Sequence, residues 1–112
     1  MCHVKQLLVC YTRVMNKKAN LSEDIINEFV SSNPPWVFRE NSLEASFEFA
    51  DFEDAMRVVN LVAEKAGELN HHPFWSNEYN KLAFVLSTHD EGNIVTQLDL
   101  DLAQAISKII KG

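Results

Sequence analysis

The sequence predicts an α+β fold: an antiparallel four-stranded sheet with helices packed on one face, a two-layer sandwich. Three observations carry this. Residues 43–49 and 81–88 alternate with the period of a strand. Three other segments repeat apolar residues at helical spacing behind helix-start signals. The elements run helix, strand, strand, helix, strand, helix, and a further strand at 74–79 completes the sheet if it pairs with the segment that follows it.

Residues 1–20 fit neither period cleanly, although Val4, Leu7, Leu8, Val9, Tyr11, Val14 and Met15 are apolar. They are read as an N-terminal extension of uncertain structure, ending in the polar stretch 16–20. The domain proper spans 21–112. Ser22 followed by Glu23 and Asp24 opens the first helix, because a hydroxyl and early acids suit the free N–H groups and the positive end of the dipole. Ile25, Ile26, Phe29 and Val30 form its apolar stripe. Asn33-Pro34-Pro35 ends it, since proline lacks a backbone donor and disfavours helix in the residue before it.

Residues 36–39 are aromatic and β-branched and read as a short strand, with a turn at Glu40-Asn41-Ser42. In 43–49, Leu43, Ala45, Phe47 and Phe49 share one face, while Glu44, Ser46 and Glu48 share the other. Asp51 caps a long helix to about Leu69, with Phe52, Ala55, Met56, Val59, Val62, Ala63 and Ala66 on one face. Val58 and Leu61 fall outside that stripe. They are either two partly exposed residues or part of a subunit interface, and the sequence leaves both open. In 81–88 neither face is charged, which predicts cover on both, by helices on one side and a partner on the other. Thr96-Gln97-Leu98-Asp99 forms an approximate capping box for the last helix, whose stripe is Leu98, Leu102, Ala105, Ile106, Ile109 and Ile110.

With 112 residues the chain has room for one domain. Ten basic residues against 16 acidic ones give a net charge of −6 with neutral histidines. That balance disfavours direct contact with nucleic acid or with anionic membranes. Cys2 and Cys10 are too few for a disulfide scaffold and fit no zinc motif, so they read as reduced thiols. The longest apolar run, 7–11, is far short of the about 20 residues a bilayer requires, and the first residues do not resemble a secretory signal. The expectation is a cytoplasmic domain, with the nucleus as a second location.

Chemistry concentrates at His71-His72-Pro73 and His89. If 74–79 and 82–88 form a hairpin with Asn80-Lys81 at its tip, Trp75 faces Leu86 and His72 faces His89, and both ends of the ribbon deliver imidazoles to one place. Asn80-Lys81 is an imperfect turn, and a slip of one residue moves side chains to the other faces. His71 falls where the long helix unravels, and His72 is biased to extended geometry by Pro73. Two adjacent rings can then diverge and flank a small molecule. Imidazole titrates close to neutral pH, which suits proton delivery and removal. The alternatives are a structural loop and, behind it, a zinc site, for which adjacent histidines rarely aim at one metal.

At these positions the sequence resembles the pterin-4a-carbinolamine dehydratases. His71-His72-Pro73 is followed by five residues and Tyr79, nine more lead to His89, and Asp99 follows after another nine. The likeness extends through Phe47-Glu48-Phe49-Ala50-Asp51-Phe52, Ala63-Glu64-Lys65 and 75–81, and covers roughly 21–112. Two departures stand out. The position four before His71, commonly acidic, is Gly67, with Glu68 next to it, and the loop between His89 and Asp99 is a residue longer than in many relatives. The resemblance implies dehydration of 4a-hydroxytetrahydrobiopterin to quinonoid dihydropterin, recycling the pterin used by aromatic amino acid hydroxylases, with no cofactor and no metal. It implies His71, His72 and His89 as the acid/base group. Asn70, Pro73, Ser87, Thr88 and Asp90 join these histidines in lining the pterin site. Asp99 matches a motif position but is read as a helix cap. Implied partners are the pterin substrate, a second copy in a homodimer or homotetramer and, as in some animal members, a transcription factor for which the protein is a dimerisation cofactor.

Overall fold

The computed structural model describes residues 19–89 and 92–112. The N-terminal extension, but for its last two residues, lies outside them. The element order is α1 (Glu23–Ser32), β1 (Val37–Arg39), β2 (Ser42–Glu48), α2 (Phe52–Leu69), β3 (Phe74–Glu78), β4 (Lys81–Leu86) and α3 (Gln97–Lys111). The strands form one antiparallel sheet in the order β1-β2-β4-β3.

Local chemistry sets the element starts. Ser22 accepts from the Ile25 N–H at 3.3 Å, and Asp51 accepts from the Asp54 N–H at 2.8 Å. Each satisfies one donor that the first helical turn leaves free. Glu40 and Asn41 both take left-handed backbone, φ 51° and 62°, which gives the β1–β2 hairpin a tight two-residue turn that matches the twist of its strands.

Alternation decides which face of the sheet is covered. Leu43 stands opposite Leu86, Ala45 opposite Phe84 and Phe47 opposite Leu82. These side chains join Ile26, Val58, Val62, Leu102 and Ile106 from the helices in one core. The other face of β2 and β3 (Ser46, Glu48, Ser76, Glu78) stays exposed. The described helices therefore cover a single face, and Ala83 and Val85 on the back of β4 are half-buried. Trp36, 2% exposed, sits just before β1 rather than within it. Its ring meets Phe47 edge-on at 6.2 Å, and its Nε1–H donates to Ser107 Oγ at 2.9 Å, tying the β1 entrance to α3.

Several expectations change. The buried face of α2 is Ala55, Val58, Val62 and Ala66, spaced three, four and four, with Met56 and Val59 flanking it. Val58 is a core residue at 0% exposure, and Phe52 and Ala63 face outward. A helix that is apolar over so wide an arc has more than one candidate stripe, and packing against α3 and β4 selects this one. Leu61, 40% exposed, remains on the surface. In α1 only Ile26 is buried. In α3, Leu100 and Ala103 belong to the core, and Ala105, Ile109 and Ile110 are partly buried.

The β3–β4 register also differs. Trp75 pairs with Phe84, not Leu86, and Glu78 pairs with Lys81. The turn is Tyr79-Asn80, with Tyr79 at φ 55°. Side-chain amides hold this tip. Asn77 Nδ2 donates to the carbonyls of Tyr79 at 2.9 Å and Lys81 at 3.0 Å, and Asn80 Nδ2 donates to the Phe49 carbonyl at 2.7 Å. Lys81 thus stays in the ladder, between Glu48 and Glu78. The displacement of Trp75's partner is two residues, so every side chain keeps its face.

Candidate functional site

The end of α2 aims the first histidine. Asn70 adopts left-handed backbone (φ 52°, ψ 42°), a conformation that asparagine tolerates better than most residues. Its N–H bonds to the Gly67 carbonyl at 3.2 Å, and the His71 N–H bonds to the Ala66 carbonyl at 3.0 Å. This paired closure uses up helix-end carbonyls and turns the chain inward.

His71 is consequently buried, its side chain 10% exposed, and its Nε2 lies 2.6 Å from Asp99 Oδ1. Asp99, at 0% exposure, is also bound from two other directions at Oδ2. The Thr96 N–H donates at 2.8 Å and the Thr88 hydroxyl at 2.9 Å, while the Thr96 hydroxyl lies 2.7 Å from that of Thr88. The capping role expected of Asp99 is present as the contact to Thr96, and the same carboxylate also holds His71. A carboxylate only accepts, so His71 donates through Nε2–H, and a neutral ring keeps the Nδ1 lone pair free.

Continued past Phe74 and Val85, the observed ladder sets position 71 level with 88, not 72 level with 89. The shared hydrogen bonds of His71 and Thr88 to Asp99 fit that level. Ser87 is buried beside them in sequence. His72 is exposed and takes no part in these hydrogen bonds. With Pro73, Trp75, Val59, Val62, Ala63, Ala66 and Phe84 it lines a mostly apolar groove of about 190 Å³ between α2 and the sheet.

His89 is exposed, one residue beyond Thr88, with Nδ1 2.6 Å from Asn93 Oδ1. Asn70 is exposed as well. Asp90 lies outside the described residues. Glu68, beside Gly67, faces Lys65 on the surface at 3.3 Å. Two polar residues escaped the sequence reading as site members: Thr96, whose only signal was its cap position, and Asn93, whose signal was its place directly after Gly92.

Among the described residues no group of three or more His, Cys, Asp or Glu is arranged to hold a metal ion, and no helix is long and apolar enough to cross a membrane.

The sequence model of the family described as pterin 4 alpha carbinolamine dehydratase matches residues 19–109. A protein of Prochlorococcus marinus (strain NATL2A) is 36% identical over 90 residues, covering 80% of this chain and 94% of its own. One of Acidobacterium capsulatum is 41% identical over 92 residues, covering 82% and 99%. Both are provisionally named pterin-4-alpha-carbinolamine dehydratases. The crystal structure of a transcriptional coactivator/pterin dehydratase from Brucella melitensis superposes with a TM-score of 0.77 at 34% identity, covering 81% of this chain and 98% of that one. The α+β architecture is thus shared with a solved relative, and the chain belongs to the pterin-4a-carbinolamine dehydratase family.

Proposed function

We propose that this protein dehydrates a pterin-4a-carbinolamine to the quinonoid dihydropterin by histidine acid/base catalysis. The observation that carries the reading is the buried His71–Asp99 pair, braced by Thr88, at the mouth of a segment whose next residue, His72, opens onto an apolar groove. In the reaction the C4a–O bond breaks and the hydroxyl leaves as water after taking up a proton. The N5 proton is removed and its electron pair forms the C4a=N5 double bond. One group must give a proton and another must accept one.

His71 suits such work because Asp99 fixes its ring and stabilises the imidazolium that forms when Nδ1 takes a proton, the relation known from His–Asp pairs in hydrolases. His72 and His89 are the other members of the acid/base group. Asn70, Pro73, Ser87, Thr88 and Asp90 surround the pterin. Its physiological role is recycling of the pterin oxidised by aromatic amino acid hydroxylases, in the cytoplasm or nucleus.

Stopped-flow decay of 4a-hydroxytetrahydrobiopterin tests the assignment. General acid/base groups contribute typically ~10²–10⁴-fold. His71→Ala and His89→Ala should each slow dehydration at least about ten-fold with the fold intact. Near-normal turnover in both variants rejects the reading.

A second reading, as an interaction module, is favoured by apolar residues left on the surface. Leu61 and Phe52 on α2 and Phe74 on β3, an edge strand of the described sheet, are at least 40% exposed. As a dimerisation cofactor for a transcription factor it predicts a mixed complex in pull-down that needs no intact histidine site. Self-association as a homodimer or homotetramer is checked separately by light scattering at micromolar concentration, where only monomer would count against it.

A further inference from the structure

Backbone hydrogen bonds join the described residues on either side of His89 after β4. The Thr88 N–H donates to the Ile94 carbonyl at 2.8 Å, the Asn93 N–H to the Thr88 carbonyl at 3.1 Å, and the Gly92 N–H to the His89 carbonyl at 3.0 Å. Gly92 and Asn93 are both left-handed, at φ 81° and 61°. Two such residues in succession curl the chain back, and they are residue types that tolerate this backbone. The curl carries the Asn93 side chain onto the imidazole of His89, with Oδ1 2.6 Å from Nδ1.

An amide oxygen accepts and cannot donate, so the hydrogen of this bond sits on Nδ1. We propose that Asn93 is a positioning residue that locks His89 in its Nδ1–H tautomer, so that Nε2 is the nitrogen His89 offers to substrate. His71 is held the opposite way round, with Nε2 occupied by Asp99 and Nδ1 free. The two rings therefore present different nitrogens, each fixed by a different partner: a buried carboxylate for His71, an exposed neutral amide for His89. Asn93 lies outside the His-His-Pro signature, and nothing in that signature anticipates it.

The consequence for catalysis rests on the dehydratase reading, but the tautomer does not, and the test separates them. Long-range proton–nitrogen NMR of the full chain without pterin distinguishes a protonated from an unprotonated ring nitrogen in neutral His89. The expected spectrum has a protonated Nδ1 and a lone-pair Nε2. Asn93→Gly keeps the left-handed backbone and removes the amide, so the loop survives while His89 relaxes to a mixture in which Nε2–H gains. Asn93→Asp keeps an acceptor at the same place and should restore Nδ1–H.

In stopped flow, Asn93→Gly should lower kcat roughly three- to ten-fold, far less than loss of the whole ring, and Asn93→Asp should recover part of it. A wild-type spectrum with Nε2–H, or an unchanged tautomer in Asn93→Gly, overturns the proposal whatever the activity. An altered tautomer in a protein that does not dehydrate pterins keeps it and rejects the dehydratase reading instead.

Discussion

His71 and Asp99 lie 28 positions apart in the chain, yet Nε2 of one is 2.6 Å from Oδ1 of the other, and both side chains are buried. Asp99 is at once the reach-back residue of the α3 cap and the support of a histidine that follows α2. One carboxylate thus couples a helix start, a loop hydroxyl and the site, and a change at Asp99 reads out in stability and in chemistry together.

Asp99→Asn tests that coupling. The amide oxygen can replace Oδ2 and still accept from Thr96 and Thr88, but its NH₂ then faces His71 Nε2 and forces the ring to accept there. The other orientation sets the NH₂ against the Thr96 N–H. Either way a buried donor meets a donor or a tautomer is lost. Stability should fall by about 1–3 kcal/mol in urea unfolding, and dehydration should slow at least about ten-fold, as for loss of acid/base function. Wild-type rate at reduced stability would leave Asp99 a cap alone.

What could be read from the sequence follows how local its cause is. The helix starts at Ser22, Asp51 and Thr96 were legible because a cap acts within three residues. The β2 and β4 faces were legible because alternation reports burial directly. The β3–β4 register was not, because Tyr79 is a poor candidate for positive φ and the tip is fixed by the amides of Asn77 and Asn80, which no turn preference encodes. Val58 was misplaced because α2 is apolar over more than one stripe, and only its neighbours choose the buried one. In the site, His71-His72-Pro73 and His89 were visible as residue types. Their partnerships were not: Asp99 fell on a motif position but read as a cap, because the His71–Asp99 bond spans the core, and Asn93 reaches His89 only through two consecutive left-handed residues.

Asn70 offers a prediction that separates backbone from side chain. Its left-handed φ of 52° closes α2 and directs His71 inward. Asn70→Ala places a less tolerant residue there and should cost about 1 kcal/mol by denaturant unfolding. Asn70→Gly relieves the backbone and should preserve or slightly raise stability. If the Asn70 side chain touches the pterin as proposed, Asn70→Gly should still raise KM in the dehydration assay. Unchanged KM in the stable glycine variant would confine Asn70 to the turn.

Gly67 provides the last test, at the position where the family resemblance implies an acid. It lies in the final turns of α2, and an added Cβ would meet nothing within 4 Å. Glycine inside a helix is less favourable than alanine by roughly 0.5–1 kcal/mol, so Gly67→Ala should raise the urea midpoint by a corresponding amount with no change in rate. Gly67→Glu restores the acid. It gains helix propensity, but a negative charge is unfavourable at a helix C-terminus that has no basic residue in its last turn. His71 already hydrogen-bonds a buried carboxylate through Asp99, so Gly67→Glu should change the dehydration rate less than about two-fold, a small effect beside the ~10²-fold minimum typical of an acid/base group. A ten-fold gain in rate would show instead that this chain lacks an acid its chemistry needs, and that Asp99 does not supply it.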